Sequence, residues 1–254
     1  EGKIADDIIN TACRRILAWK LKYGIIQKKT PTPSYINMLK KLEKIPAYTS
    51  KINTFLIMGS LLFENGYETS FVAGILGNIY HDKKIGEFES STYNSNPSAK
   101  PQYIKYMEEL YNYKYKHTNR CITEVFMKEL EILLNKLKRD NWKRGKFGLG
   151  CMQWTGERTY DLFKIYQKEC NYQDGISLVQ ATKAEGKMII NELNSEYKYI
   201  YDQWKKENNN TSTSIAAFNA GYIISMKYEV LADTEKKAKI RGKTALDIYN
   251  IMTK

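Results

Sequence analysis

Apolar residues recur at three- and four-residue intervals through most of the chain, a spacing that predicts a mainly α protein of eight to ten helices. Ile4 to Tyr23 is amphipathic, with Ile8, Ile9, Ala12, Ile16 and Leu17 on one side. Thr30-Pro31-Thr32-Pro33 interrupts it, and Ser34 to Ile45 reads as a second, shorter helix closed by Pro46. Ile52 to Glu64 follows, with Leu56, Ile57, Leu61 and Leu62 facing inward and Asn65-Gly66 as its terminator. Ser70 to Asp82, capped by Thr69 or Ser70, carries Phe71, Val72, Ile75, Leu76 and Ile79 on one face. Further helices are predicted at Gln102 to Tyr115, at Ile122 to Arg139 (Phe126, Leu130, Leu133 and Leu137 on one face), at Glu157 to Cys170 and at Ser177 to Leu193. Glu196 to Glu207, Ile215 to Tyr228 behind a Thr213 or Ser214 cap, and Glu235 to Met252 complete the set. Two intervals break the pattern. In 83–101, Glu87-Phe88-Glu89 alternates, so Ile85 to Tyr93 reads as a short strand or a small β-hairpin. Asn141 to Gly156 is a loop dense in Gly and aromatic residues.

Composition narrows the classes. Of 254 residues, 43% are hydrophobic, enough for a substantial core, and no run of 18 apolar residues suggests a membrane span. The sequence opens at Glu1 with no signal-peptide pattern. A piece of a longer protein is therefore one reading, and no export route can be read. The net charge of +12 points to an anionic partner: nucleic acid, a membrane surface or an acidic polymer. The lysines are spread and form no Arg-rich arm, so a basic surface suited to anionic wall polymers is expected, not a nucleic-acid or membrane binder. The spacing of Cys13, Cys121, Cys151 and Cys170 fits no zinc pattern. With His81 and His117 as the only histidines, no metal and no cofactor are expected, and free thiols are the default. The 20 Tyr suit a sugar cleft, although joint Ile, Lys, Asn and Tyr enrichment is more simply an AT-rich composition.

The candidate chemistry centres on Ser70 to Ser91. Asp82 lies seven residues after Ile75 and three after Ile79, on the apolar face of its helix. Partial burial and a helix C-terminus both disfavour a negative charge there, which favours the protonated acid that a glycosidase uses on its leaving oxygen. Standing alone, the same acid reads as an ordinary solvated or capping residue. Gly74 and Gly77 leave the helix smooth for another helix or a ligand. Glu87 and Glu89, in the polar stretch that follows, are candidate partner carboxylates. In Gly148-Leu149-Gly150-Cys151-Met152-Gln153-Trp154-Thr155-Gly156, the glycines allow close backbone approach, Gln153 offers hydrogen bonds and Trp154 a stacking plane. The equal alternative is a turn anchored by a buried Trp. Ala216 to Tyr222 presents Phe218, Asn219 and Tyr222 among small residues, a pattern that by itself reads as tight helix packing.

Taken in order, these three stretches resemble the phage tail lysozyme group of the lysozyme-like superfamily, over roughly Ile52 to Met252. In that group a helix reading A-G-I-L-G-N ends in the catalytic acid, and this chain has Ala73-Gly74-Ile75-Leu76-Gly77-Asn78 and then Asp82. The group's cleft loop G-L-G-x-x-Q-W-T is matched by Gly148 to Thr155, and an A-x-N-A-G segment similar to one in lytic transglycosylases by Ala217 to Gly221. Met226-Lys227-Tyr228-Glu229 before a basic helix also looks like the group's C-terminus. The resemblance implies a lysozyme-like catalytic domain at 51–254, preceded by a 1–50 helical extension packed on it. It implies cleavage of the β-1,4 bond between N-acetylmuramic acid and N-acetylglucosamine in peptidoglycan, at the bacterial wall, by an extracellular or tail-associated protein. Asp82 would be the acid, with Glu89 its partner and Glu87 a second choice. Gln153, Trp154, Thr155, Phe218, Asn219 and Tyr222 would hold the glycan, and residues 1–50 could meet other tail or secretion-apparatus proteins.

The group's acid is normally Glu. Asp withdraws the proton donor by about one methylene, roughly 1.5 Å, and misplacement on that scale costs around a hundredfold in rate. Hydrolase and lytic transglycosylase both remain open. So do a wall-binding or structural tail component with a lapsed site and, more remotely, a Cys151 peptidase using His81 or His117.

Overall fold

The structure is a computed structural model that describes residues 34–82, 84–89, 121–143, 146–229 and 234–254. The expected helices at Ile4 to Tyr23 and Gln102 to Tyr115 lie outside the described residues. Tyr35 to Lys254 forms one compact unit. Its helices are α1 (Ser34–Lys40), α2 (Ile52–Glu64), α3 (Thr69–His81), α4 (Met127–Arg139), α5 (Glu157–Glu169), α6 (Leu178–Leu193), α7 (Lys198–Glu207), α8 (Ser214–Ile224) and α9 (Thr234–Thr253). Short 3-10 turns occupy Lys41–Lys44, Pro46–Lys51 and Ile122–Glu124, and a π-helical segment, Ser225–Glu229, prolongs α8.

The expected β-hairpin is not seen: no strand forms among the described residues, and 90–93 of its expected span lie outside them. Glu87 makes a single antiparallel bridge to Cys121, Phe88 one to Leu149, and Leu149 one to Trp154. Gly86 (φ 69°) and Gly150 (φ 82°) turn the chain beside these contacts and stop any ladder from lengthening. Alternation in Glu87-Phe88-Glu89 thus reports one side chain, Phe88, buried in the core between two half-buried acids.

Helix α3 is the centre. Every residue from Ser70 to Ile79 is buried, so it is enclosed on all sides, not on one face. It packs on α8 and α9, which also pack on each other, and on α2; α2 in turn packs on α6, and α6 on α5. Small residues set how closely these helices approach. A Cβ built on Gly74 would lie 2.5 Å from the Ala220 Cβ and 2.8 Å from the Gly221 backbone N, and one on Gly77 would lie 2.9 Å from the Ala245 backbone N. The neighbours of Gly74 include backbone that cannot swing away. Gly74→Ala is therefore expected to destabilise the fold by roughly 1–3 kcal/mol, read as a lower midpoint in urea with an unchanged slope.

Helix α2 has the predicted ends, but a different face is buried. Phe55, Met58, Gly59 and Leu62 point inward, while Leu56, Ile57 and Leu61 are only half-buried. Phe126 precedes α4 and is 62% exposed, while Leu130, Leu133 and Leu137 are buried as expected. Thr213 caps α8 by accepting from the Ala216 N–H at 3.0 Å, and Ser177 with Gln180 forms a reciprocal cap on α6.

Candidate active site

Asp82 takes extended backbone (φ −90°, ψ −176°) immediately after α3, which turns its side chain toward α9. There the Arg241 guanidinium donates to Asp82 Oδ1 and, at 3.2 Å, to Asn78 Oδ1. The same guanidinium forms an ion pair with Glu229 of the π-helical segment. These side chains are nearly dry: 11% of Asp82, 6% of Arg241 and 2% of Glu229 remain exposed. The second oxygen, Asp82 Oδ2, is buried and has no hydrogen-bond partner among the described residues. Lys51, at the end of its 3-10 turn, closes the helix end by donating to the Ile79 carbonyl at 3.1 Å and the Asp82 carbonyl at 3.3 Å.

The electrostatics follow from this packing. Burial pushes the Asp82 carboxyl up to about 6, against the pull of Arg241, Lys51 and His81, which favour the ionised form. Burial lowers His81, and Arg241 lowers it further; its ring Nε2 shares a 2.7 Å hydrogen bond with Thr244 Oγ1. Because the folded Asp82 holds its proton more tightly than an unfolded one, its contribution to stability is present below the ordinary Asp range. That contribution is lost as pH rises through about 6.

The chain just after Asp82 and the Gly-rich stretch at 148–156 meet beside this site as two crossing loops. Glu89 N–H donates to the Gly148 carbonyl at 2.8 Å, Gly148 N–H to Glu89 Oε2 at 3.0 Å, and Gly150 N–H to the Glu87 carbonyl at 2.9 Å. Gln153, at φ 51°, spends its amide N–H groups on the Glu87 carbonyl at 3.0 Å and the Gly150 carbonyl at 2.8 Å. Beneath both loops lies Glu185 of α6, fully buried. It accepts from Gly86 N–H at 2.6 Å, Cys151 N–H at 2.7 Å and Tyr166 OH at 2.7 Å. Burial raises its carboxyl, and those three donors, with the Cys151 thiol, oppose that shift.

The predicted residues therefore have different fates. Asp82 and Glu87 come together around Lys51, which feels the charge of both. Glu87 Oε2 accepts from Lys84 N–H at 2.9 Å, and Glu87 lines a cavity of about 490 Å³ with Lys51, Thr54, Lys84, Glu124 and Leu178. Glu89 is turned to the Gly148 backbone. Trp154 has no exposed surface, and a ring without an open face cannot stack on a sugar. Its Nε1–H donates to Glu192 Oε2 at 2.9 Å and Tyr228 OH at 3.2 Å, and Arg158 pairs with that same Glu192, so Trp154 anchors the loop. Thr155 is exposed. Phe218, Asn219 and Tyr222 are half-buried on α8, opposite its packed face of Ala216, Ala217, Ala220 and Gly221. The Phe218 and Tyr222 rings stack at 6.4 Å, and Asn219 donates to Asn208 at 2.9 Å. Cys151 is buried and its thiol is pushed well up, largely by burial and then by Glu185, so it is no nucleophile. His117 lies outside the described residues. Lys51, Arg241, Glu229 and Glu185 had no assigned role in the sequence reading.

Residues 54–252 match the family model for phage tail lysozyme. No curated protein and no solved structure matches the chain. No described helix is long and apolar enough to cross a membrane.

Proposed function

The chain belongs to the phage tail lysozyme family, and from that premise we propose that it cleaves the β-1,4 bond between N-acetylmuramic acid and N-acetylglucosamine, with Asp82 as the acid. Membership carries the coarser statement: a lysozyme-like, peptidoglycan-degrading protein of the phage tail that acts at the cell wall. The observation that supports the finer one is Asp82 itself, nearly dry at the end of the central helix, with its carboxyl near 6 and one oxygen unpartnered. A carboxyl of that affinity is still partly protonated just below neutrality and can donate to a glycosidic oxygen. Glu87, which lines the cavity beside Lys51, is better placed than Glu89 to steady the positive charge that develops on the sugar or to activate water. Gln153 Oε1, Phe218, Asn219 and Tyr222 are the groups left to hold the glycan.

The test is digestion of purified peptidoglycan followed by mass spectrometry. Reducing N-acetylmuramic acid ends identify a hydrolase and 1,6-anhydro ends a transglycosylase; neither product overturns the reading. Because the acid must carry its proton, the cleavage rate is expected to fall as pH rises through about 6, tracked by reducing-end release across buffers of constant ionic strength.

One observation favours a second reading. Arg241 directly on Asp82 is the pairing of a structural acid as well as of a tuned one. A tail component that holds the wall without cutting it would bind peptidoglycan and release nothing.

A further inference from the structure

We propose that Glu229 is a positioning residue for the acid: it pairs with the Arg241 guanidinium and so limits the positive charge that Asp82 meets, which keeps the proton on Asp82. This rests on the reading of Asp82 as the proton donor.

The argument is one of charge in a dry place. Arg241 is enclosed between two carboxylates, Asp82 and Glu229, and the Asn78 amide oxygen. One buried cation balances one buried acid. With two acids ionised, the trio carries a surplus negative charge that water does not screen, and a proton on one acid removes it. Unsatisfied atoms cluster in the same place. Asp82 Oδ2, Ser225 Oγ and both Glu229 carboxylate oxygens are buried without a hydrogen-bond partner among the described residues, Glu229 Oε2 meeting Arg241 as an ion pair. A bare, buried carboxylate oxygen is costly when charged and tolerable when its carboxyl is neutral. The backbone is built for the contact. Ser225–Glu229 widens from α into π geometry at the end of α8, a rare turn that commonly marks functional sites, and it packs against α9 where Arg241 resides.

The other groups around Asp82 do not remove this dependence. Lys51, from the turn before α2, sits on the Asp82 carbonyl and favours ionisation, but it is flanked by Glu87 and Glu185. His81, the last residue of α3 and next to Asp82 in the chain, is held toward neutrality. Cys151, from the loop over α6, is a protonated thiol. Glu229 is the group that opposes Arg241 directly. Protonated Asp82 keeps Oδ1 on Arg241 and carries its proton on Oδ2, the oxygen left without a partner.

The experiment is a ¹³C NMR titration of the whole chain labelled at aspartate Cγ, with Asp82→Asn to assign the Asp82 signal. Glu229→Gln keeps the shape and removes the charge, leaving Arg241 to Asp82 alone. The apparent pKa of Asp82 is expected to fall by about one unit, tenfold in proton affinity, and the pH at which cleavage falls off should move down with it. Glu229→Asp keeps the charge but withdraws it, and should shift the value less, in the same direction. It also serves if Glu229→Gln does not fold. A purely structural Glu229 would lower the melting temperature and leave the titration where it was, and an unmoved or upward-moved pKa overturns the proposal. The titration reads the pairing whether or not the wild type cuts peptidoglycan, so absence of cleavage in the wild type counts against the assigned activity and not against this one.

Discussion

Asp82→Asn is expected to lower the rate of glycan cleavage by roughly 10²- to 10⁴-fold, the range over which a positioned acid contributes. The substitution leaves the carbonyl that accepts from Arg241 and removes only the ability to donate a proton to a leaving oxygen. It also leaves Arg241 balanced by Glu229 alone, so the buried charges still cancel and the fold should persist. The loss should therefore appear in the rate of reducing-end or anhydro-end release, with circular dichroism, melting temperature and binding to insoluble peptidoglycan close to wild type. Equal cleavage by wild type and Asp82→Asn would remove Asp82 as the acid. If the wild type binds without cutting, Asp82→Glu is the informative companion. It restores the longer acid usual in the family and advances the carboxyl by about 1.5 Å. Cleavage by that variant alone would identify a wall-binding protein whose site has lapsed through one methylene.

How much of this was readable in advance depended on how far apart the interacting residues lie in the chain. The ends of α2, α5 and α6 follow from local signals: Gly66 at a positive φ, a capping box at Ser177, and glycine before Glu157. The expected Thr69 or Ser70 cap on α3 does not form, because Thr69 is already helical and Glu68 stands at the N-cap without a side-chain hydrogen bond. The face of α2 does not, because Phe55, Leu56, Ile57, Met58, Leu61 and Leu62 make it apolar all round and periodicity then has no unique phase. Asp82 was legible because its neighbours Ile75 and Ile79 are in the same helix. Its partners were not, since Arg241 is 159 residues away and contributes only through the packing of α3, α8 and α9. Glu229 had a faint signal, falling within the Met226 to Glu229 run that resembles the family's C-terminus. Lys51 and Glu185 had none. Glu185 stands between Lys183 and Lys187, a setting that reads as a solvated helix face. Trp154 carried both readings, stacking plane or anchor, and the choice lay in Glu192 and Tyr228, which reach it from 38 and 74 residues away.

Glu185→Ala should be the most damaging single change outside the acid, and it should act through the fold. The carboxylate satisfies three donors in a dry site: two backbone N–H groups, Gly86 and Cys151, on different loops, and the Tyr166 hydroxyl. Truncation strands all three, and each buried donor left unmade costs about 1–3 kcal/mol. Water entering the vacated space recovers part of that, so a net loss of about 4 kcal/mol is expected, in the range for breaking a buried polar network. For a chain of this size that corresponds to a fall in melting temperature of roughly 10 °C. Gly150 makes the site intolerant of repacking: a Cβ there would already lie 2.9 Å from the Glu185 carboxyl carbon, so the loop is pressed onto the acid. Glu185→Gln is the discriminating variant. Its amide can accept with one end only, so at least one of the three donors faces another donor and most of the loss should remain, although volume and shape are kept. Substituting Tyr166→Phe removes one donor and leaves two satisfied, and should cost about 1 kcal/mol. The two loops carry Glu87, Glu89 and Gln153, so cleavage by any folded Glu185 variant should drop along with stability. A Glu185→Gln protein as stable as wild type in urea would show that the backbone donors find other partners and that α6 does not tie the loops to the core.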